Sequence, residues 1–193
     1  MVTGRDKFRK FRKMINFFVK FIMKLFTPCF RKYLLVFFRD TKGLKGILIR
    51  YILVKSLAKN CGDNVSIHPN VYLLEVSNME IGDNVSIHPM CYIDGKGGIA
   101  IGSNVSIAHG VTIMSTNHKY DDLDTPIKYQ GLSLNKVTID SNVWVGSKAT
   151  ILNGINVRNG CVIGANSILT KNTIVNGVYV GNPAKLLRER VYK

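Results

Sequence analysis

The residues best suited to acid–base chemistry gather in residues 113–132, which read IMSTNHKYDDLDTPIKYQGL. The stretch contains His118 and three aspartates, Asp121, Asp122 and Asp124. An imidazole exchanges a proton near neutral pH, and a carboxylate can orient it or accept a hydrogen bond from a ligand. The stretch interrupts a six-residue repeat that resumes after it. We therefore predict that the repeat is a scaffold and that this excursion carries the chemistry.

The repeat places an apolar residue at every sixth position on both sides of the excursion. Its fifth positions hold small or branched residues, such as Val65, Cys91 and Ala149. Two inward positions in six predict short strands joined by tight corners, three strands to a turn of about eighteen residues. The first positions are Cys61, Ile67, Ile81, Ile87, Ile93, Ile101, Ile107, Ile113, Ile139, Val145, Ile151, Val157, Ile163, Leu169 and Val175. This phase predicts an all-β solenoid over residues 61–183.

The chain before the repeat is strongly basic. Residues 1–60 hold 16 of the 27 Lys and Arg residues but only two of the twelve acidic residues, so the net charge of +15 belongs almost entirely to this segment. In residues 7–26, apolar residues recur at spacings of three and four and predict one apolar helix face, opposite a basic face. The apolar set is Phe8, Phe11, Ile15, Phe18, Ile22 and Phe26, and the basic set is Arg9, Lys10, Lys13, Lys20 and Lys24.

Further helices are predicted at both ends of the chain. Thr27 and Pro28 end the first helix, and two more are expected near residues 30–39 and 47–59, separated by a glycine hinge at residues 43–46. These helices are expected to cap the first turn of the solenoid. Residues 184–193 are predicted to form a short basic helix that caps the other end.

The basic segment has two open interpretations, because it can lie on an anionic membrane surface or pack on the solenoid with its charges in solvent. Its uncharged runs are too short for a membrane-spanning helix, which needs about 20 apolar residues, and lysines interrupt every run that would serve as a signal peptide. Nucleic acid is not expected as a partner, since the aromatic residues lie away from the charges.

The four cysteines form no CxxC pair, and Cys61, Cys91 and Cys161 fall on inward repeat positions, as expected for a reducing, cytoplasmic location. His68 and His88 occupy equivalent positions of adjacent turns and are interpreted as a surface stack, and His109 is interpreted in the same way. No metal site is predicted. Only four histidines are present, and none forms the close pair that a zinc carbonic anhydrase on such a scaffold needs.

Four segments carry a resemblance to a known family: IDSNVWVGSKATIL, VIGANSILTKN, VGNPAK and the TNH that ends at His118. They resemble the hexapeptide-repeat acyltransferases, including galactoside and maltose acetyltransferases and polysaccharide O-acetyltransferases. The resemblance covers about residues 61–190. It implies a left-handed parallel β-helix, a homotrimer with active sites between subunits, and acetyl-CoA as co-substrate.

The same resemblance implies roles for individual residues. His118 matches the general base, and Ser147 matches the residue that supplies an oxyanion donor. Asp94, Asn117, Asp122 and Asp124 are candidates for binding a sugar acceptor. Coenzyme A is expected to contact Trp144, Gly146, Ser147, Gly164, Ala165, Lys171, Lys185 and Arg188. Gly146 is expected to let the pantetheine arm approach the backbone.

These features predict an acetyl-CoA-dependent O-acetyltransferase that acts on a sugar hydroxyl. The basic segment favours an acceptor at the inner face of the cytoplasmic membrane, namely a cell-surface polysaccharide or its lipid-linked precursor. Two alternatives remain open: a small-molecule acceptor such as serine, a free sugar or an antibiotic, and a catalytically inactive scaffold at the membrane.

Overall fold

The computed structural model describes residues 4–191 and contains three helices followed by a strand-rich solenoid. The helices are α1 (Gly4–Leu25), α2 (Pro28–Phe37) and α3 (Gly43–Leu57). The predicted break at Thr27 is confirmed: Pro28 begins α2, and the Thr27 hydroxyl accepts a hydrogen bond from the Phe30 amide at 3.3 Å. The side chains of Arg9 and Lys10, which belong to the predicted basic face, lie outside the described part.

The predicted glycine hinge at residues 43–46 is wrong, because α3 begins at Gly43. Gly46 is buried within this helix, where an added Cβ would collide with the carbonyl group of Thr41. The glycine is therefore required for close packing, and it does not mark a flexible joint.

The solenoid is a parallel β-helix with three sheets. The first sheet contains β1 (Asn60–Cys61), β4 (Met79–Ile81), β7 (Ile99–Ile101), β12 (Val137–Ile139) and β15 (Asn156–Val157). The second contains β2 (Ser66–Ile67), β5 (Ser86–Ile87), β8 (Ser106–Ile107), β13 (Trp144–Val145), β16 (Val162–Ile163), β18 (Gly177–Gly181) and β19 (Ala184–Glu189). The third contains β3 (Tyr72–Leu74), β6 (Tyr92–Asp94), β9 (Thr112–Met114), β14 (Thr150–Ile151) and β17 (Ile168–Leu169).

The predicted inward positions form the core of this β-helix. Ile87, Ile107, Val145 and Ile163 stack in one column, and each is fully buried. Among the first positions of the repeat, only Val175 lies outside the core. It is the final one, and the sixth turn to which it belongs is incomplete. The predicted phase is confirmed for all five turns. Cys61, Cys91 and Cys161 are buried free thiols, as their repeat positions predicted.

The corners of the prism place asparagine in a left-handed conformation. Asn64, Asn84, Asn104 and Asn142 have φ between 56° and 59° at equivalent positions of successive turns. Asparagine tolerates this region better than most residues, because its short side chain can hydrogen-bond locally. In the first four turns the backbone can therefore bend sharply after the first strand without a glycine, whereas Gly160 with φ 73° occupies that position in the fifth turn.

The C-terminal segment differs from the prediction. Residues 184–189 form β19, which pairs antiparallel with β18, and no helix is present in residues 184–191. Tyr192 and Lys193, the last residues of the predicted helix, lie outside the described part. The physical reason is that β18 ends the second sheet, and β19 pairs with its open edge and satisfies backbone groups that a helix would leave unpaired.

The N-terminal helices cap the first turn, as expected. Helix α3 covers it with Tyr51 and Val54, which are buried. Helix α1 lies on α3 and buries Ile15 and Val19 there, with 4% and 8% exposure. The predicted apolar face of α1 is therefore divided, since part of it packs on the protein while Phe11 and Phe18 remain exposed. No described helix is long and apolar enough to cross a membrane.

Candidate functional site

The excursion is a β-hairpin that projects from the third turn. Strand β10 (Thr116–His118) pairs antiparallel with β11 (Leu132–Leu134), and a 3-10 turn spans Ile127–Tyr129 between them. The predicted boundaries, 113 and 132, need correction because Ile113 belongs to β9 and is fully buried. The chain returns to the core at Val137.

His118 lies at the outer end of the paired part of this hairpin, opposite Leu132. The amide of Lys119 donates to the carbonyl of Gly131 at 3.1 Å, which closes the ladder just beyond it. The imidazole is exposed, and within residues 4–191 it makes no hydrogen bond or ion pair. None of the three aspartates of the excursion therefore orients His118 in this chain.

Asp94 anchors the base of the hairpin. Its carboxylate accepts hydrogen bonds from the Thr116 hydroxyl at 2.7 Å and from the Lys96 amide at 3.0 Å. The hydroxyl of Ser115, which is fully buried, donates to the Asp94 carbonyl at 2.6 Å and accepts from the Gly97 amide at 2.7 Å. Asp94, a predicted acceptor-binding residue, is thus hydrogen-bonded to Thr116, which begins β10 two residues before His118.

The tip of the hairpin is organised by Asp122 and Gln130. The Asp122 carboxylate accepts from the amides of Asp124 and Thr125 at 2.9 and 3.4 Å, and hydrogen bonding from Thr125 and these amides lowers its pKa. The Gln130 side chain donates to the carbonyls of Asp122 and Thr125 at 2.7 and 2.6 Å. Asp122 therefore supports the loop, while Asp124 and Asn117 are exposed.

A depression of about 390 Å³ lies at this tip. It is lined by Lys119, Asp121, Asp122, Thr125, Tyr129 and Gln130. Its lining combines carboxylate, hydroxyl and amide groups with one aromatic ring, which are the groups that hydrogen-bond and stack on a sugar. Sequence reasoning did not identify Thr116, Ser115 or Gln130, because their roles arise from hydrogen bonds to residues distant in sequence.

Most of the predicted coenzyme A residues form one patch at the corner between the second and third sheets. Trp144 begins β13 with its side chain 55% exposed, and Gly146 and Ser147 follow at the corner. Gly164 and Ala165 occupy the same corner one turn later. The Ser147 carbonyl accepts from the Asn166 amide at 2.9 Å, which fixes the two turns together. We call this patch the corner edge.

Gly146 has a structural role at the corner edge that differs from the predicted one. A Cβ at this position would lie 2.6 Å from the Ala165 amide nitrogen and 2.8 Å from the Gly164 carbonyl carbon. The close approach comes from the backbone of the next turn. Stacking of the turns therefore requires glycine at position 146, and its predicted contact with pantetheine stays a prediction.

Lys185 and Arg188 lie on the same face of the hairpin that β18 and β19 form. On a regular strand, residues three apart would point to opposite faces. Lys185 pairs with Val180 and Arg188 with Val178, and a register irregularity between Val178 and Tyr179 accommodates the extra residue. Directly opposed residues point to the same face, and alternate residues of β18 do the same. Both cations therefore project beside Val180, whose side chain covers Gly164.

Lys171 does not join this group. It lies after β17, at the corner that follows the third sheet, and the strand separates it from Ala165. The hairpin that carries His118 leaves the prism at the equivalent corner of the third turn, directly after β9. Within one chain, the base candidate and the corner edge thus occupy different corners of the prism.

His68 and His88 form the stack that the repeat predicted. The rings of His68 and His88 stack with their centroids 4.7 Å apart and their planes 7° apart. Burial lowers the pKa of His68, and the nearby His88 and Arg50 lower it further. His109 is exposed at the next turn, and its carbonyl accepts from the Lys148 amide at 2.9 Å. Among the described residues, no group of three or more His, Cys, Asp or Glu side chains is arranged to hold a metal ion.

Comparisons with known proteins agree with this architecture. A family model described as the hexapeptide repeat of succinyl-transferase matches residues 136–171. The galactoside O-acetyltransferase of Escherichia coli is 34% identical over 141 residues, which cover 72% of this chain and 68% of that protein. A shorter match, to a Mycobacterium tuberculosis protein named probable acetyltransferase, is 33% identical over 78 residues and covers 40% of this chain but only 26% of that protein.

Solved structures give the same result. A maltose O-acetyltransferase from Clostridium difficile superposes with a TM-score of 0.76 at 27% identity, covering 84% of this chain and 86% of that one. A hexapeptide-repeat-containing acetyltransferase from Vibrio cholerae, solved in complex with acetyl coenzyme A, gives a TM-score of 0.74 at 21% identity over 82% of this chain and 84% of that one. At that identity, the second likeness concerns the fold.

Proposed function

Because the chain belongs to the hexapeptide-repeat acetyltransferase family, we propose that it transfers an acetyl group from acetyl-CoA to a sugar hydroxyl. The observation that carries this proposal is the hairpin Thr116–Leu134, which holds an exposed imidazole away from an otherwise continuous β-helix and is anchored through Asp94. Structural reasons alone do not require a histidine at that position, since the imidazole makes no hydrogen bond or ion pair with the described residues.

The proposed reaction follows from the chemistry of a thioester and a hydroxyl. The sugar oxygen attacks the thioester carbonyl carbon while His118 takes the hydroxyl proton, and a C–O bond forms. The oxyanion receives a hydrogen bond at Ser147. When the intermediate collapses, the C–S bond breaks and the imidazolium returns its proton to the departing sulfur. The products are the acetylated sugar and free coenzyme A.

The active site is proposed to form between two copies of the chain in a homotrimer. The supporting observation is that His118 and the corner edge lie at different corners of one prism, and we propose that the hairpin of one copy faces the corner edge of the next. Lys185 and Arg188 then lie beside the cofactor phosphates at the end of that edge. Sedimentation should give three times the chain mass of 21.6 kDa.

The acceptor is proposed to be a cell-surface polysaccharide or its lipid-linked precursor, which the enzyme meets at the inner face of the cytoplasmic membrane. The supporting observation is the N-terminal segment, where 16 Lys and Arg residues accompany an exposed apolar surface on α1 and α2. Attraction of such a segment to anionic lipids falls as salt concentration rises. Vesicle binding should therefore weaken between low and high salt.

The decisive experiment measures coenzyme A release with a panel of acceptors: galactosides, maltose, free serine and lipid-linked glycans. His118→Ala is expected to lower kcat by about 10²–10⁴, the usual contribution of a general base. His68→Ala is the control, because it removes an imidazole from the first turn, three turns away from Ser147, and should leave the rate unchanged. Equal rates for wild type and His118→Ala would show that His118 is not the base.

A further inference from the structure

The outer surface of the N-terminal helices carries two aromatic ridges. The α1 ridge consists of Phe17, Phe18 and Phe21, with ring centroids 5.8 Å apart for Phe17–Phe18 and 6.3 Å for Phe17–Phe21. All three are exposed, Phe17 by 64% and Phe21 by 51%. Exposed aromatic residues in contact with one another are unusual on a soluble surface, and they indicate a binding partner.

The second ridge follows α2 and its C-terminal end. Phe30, Tyr33, Phe37 and Phe38 contact one another in sequence, at centroid distances of 6.1, 6.3 and 5.0 Å. The first three are exposed. We call this the α2 ridge. Aromatic residues bury large apolar areas at low conformational cost, so the two ridges together form an apolar surface suited to the interface of a bilayer.

A groove of about 180 Å³ lies between the ridges. It is lined only by apolar side chains: Phe18, Ile22, Leu34, Phe38, Ile49, Ile52 and Leu53. Phe18 belongs to the α1 ridge and Phe38 to the α2 ridge, so the groove is continuous with both. Its floor is α3, which contributes Ile49, Ile52 and Leu53. The opposite side of α3 packs on the β-helix.

The charges around the groove select the partner. Lys13, Lys20 and Lys24 are exposed on α1 and lie on the side of the helix next to Phe17. They belong to a segment with 16 basic and two acidic residues. A second protein copy would bring an equally basic surface against this one, whereas an anionic bilayer supplies the opposite charge together with hydrocarbon.

We infer that the groove binds an acyl chain of an anionic phospholipid when the ridges enter the bilayer interface. The lysines contact the phosphate groups, the two ridges lie among the upper acyl segments, and one chain lies over Ile49 and Ile52. This inference rests on the membrane adsorption proposed above. It adds a defined lipid site, which holds the enzyme at a fixed orientation to the lipid surface and to acceptors embedded in it.

Photochemical cross-linking tests the site. Wild-type protein is mixed with phosphatidylglycerol vesicles that contain a phospholipid with a diazirine in the middle of one acyl chain, irradiated and analysed by peptide mass spectrometry. Adducts on Ile49 and Ile52 are expected, because these two residues of α3 line the groove that the chain occupies. Adducts confined to the two ridges, or none at all, would overturn the inference.

Two variants separate groove occupancy from adsorption. Ile49→Trp fills the groove and should lower adducts on Ile52 at least fivefold, while cosedimentation with phosphatidylglycerol vesicles stays unchanged. Leu44→Trp is the matched control, since it places the same side chain on α3 at an exposed position outside the groove and should change neither measurement. Equal effects of the two variants would count against a groove site.

Adsorption itself is tested by the double variant Phe17→Ser with Phe21→Ser, for which vesicle affinity should fall at least about tenfold. None of these measurements requires a sugar acceptor. A protein that acetylates sugars but gives no groove adducts would refute the lipid site alone. A protein that gives the adducts without acetylating any acceptor would refute the proposed function alone. A dimer that protects the groove without lipid would assign it to a second copy, and the inference would fail.

Discussion

Arg50→Met should destabilise the junction between the helical cap and the β-helix. Arg50 is fully buried, with 1% exposure, and its guanidinium donates to four carbonyl groups. The acceptors are Ile67 at 2.9 Å, Phe38 at 2.9 Å, Thr41 at 2.8 Å and Arg39 at 3.3 Å. Burial of the cation lowers its pKa, an effect that Asp40 opposes.

The contact with Ile67 explains why an arginine stands at this position. In each later turn, the equivalent carbonyl accepts from the amide of the preceding turn: Ile87 from His68, and Ile107 from His88, both at 2.9 Å. The first turn has no preceding turn. The Nε of Arg50 supplies the missing donor, so the Ile67 carbonyl at the open edge of the second sheet is satisfied.

The magnitude follows from the carbonyls that the substitution leaves without a donor. Phe38 and Arg39 each keep a backbone donor, from Thr41 at 3.4 Å and Asn70 at 2.9 Å, so Ile67 and Thr41 are the two that are left. Leaving the buried carbonyl of Ile67 and the half-buried carbonyl of Thr41 unsatisfied costs at most about 2–6 kcal/mol, and relief from burying an unpaired cation offsets part of this. A net loss of about 2–3 kcal/mol lowers Tm by about 5–10 °C in a chain of this size.

Thermal unfolding followed by circular dichroism measures this loss, and limited proteolysis should show earlier cleavage in residues 26–42. Arg39→Met is the matched control. The Arg39 guanidinium lies 4.2 Å from the centroid of the Tyr72 ring near the surface, an interaction worth about 0.5–1 kcal/mol. If Arg50→Met lowers Tm no more than Arg39→Met does, the capping role assigned to Arg50 is wrong.

Three further predictions concern the thiols, the stacking glycines and alkaline pH. A thiol reagent at pH 8 should modify Cys29 rapidly and the three buried cysteines only after unfolding; two fast thiols would contradict the described burial. Gly102→Ala places a Cβ 2.7 Å from the Ser141 amide nitrogen and should cost about 1–3 kcal/mol in urea unfolding, so an unchanged midpoint would show that the turns can separate. Burial raises the pKa of Cys61 to about 12 and that of Cys91 to about 11. The pKa of each thiol is higher in the folded than in the unfolded state. The stability that the buried neutral thiols contribute is therefore complete below about pH 8.5 and is lost as pH rises. Cys91→Ala should lose less stability than wild type between pH 8 and 10.

The sequence alone determined the β-helix, because its inward positions are local and periodic. Every sixth residue had to be apolar for the column of Ile87, Ile107, Val145 and Ile163 to form, and this requirement is visible without any long-range contact. The excursion and its histidine were visible for the same reason, as a break in the period. The motifs at residues 139–152 and 162–172 pointed to the family that the comparisons identified.

The tertiary structure decided the features that depend on neighbours distant in sequence. Residues 184–189 have the composition of a basic helix, but the open edge of β18 needed hydrogen-bond partners and they form a strand. The apolar face of α1 is continuous in sequence, yet α3 covers Ile15 and leaves Phe11 and Phe18 exposed. Asp94 became the anchor of the hairpin because Thr116 lies one turn above it. A periodic pattern specifies which residues point inward, whereas only packing determines which surfaces, edges and polar groups remain to be satisfied.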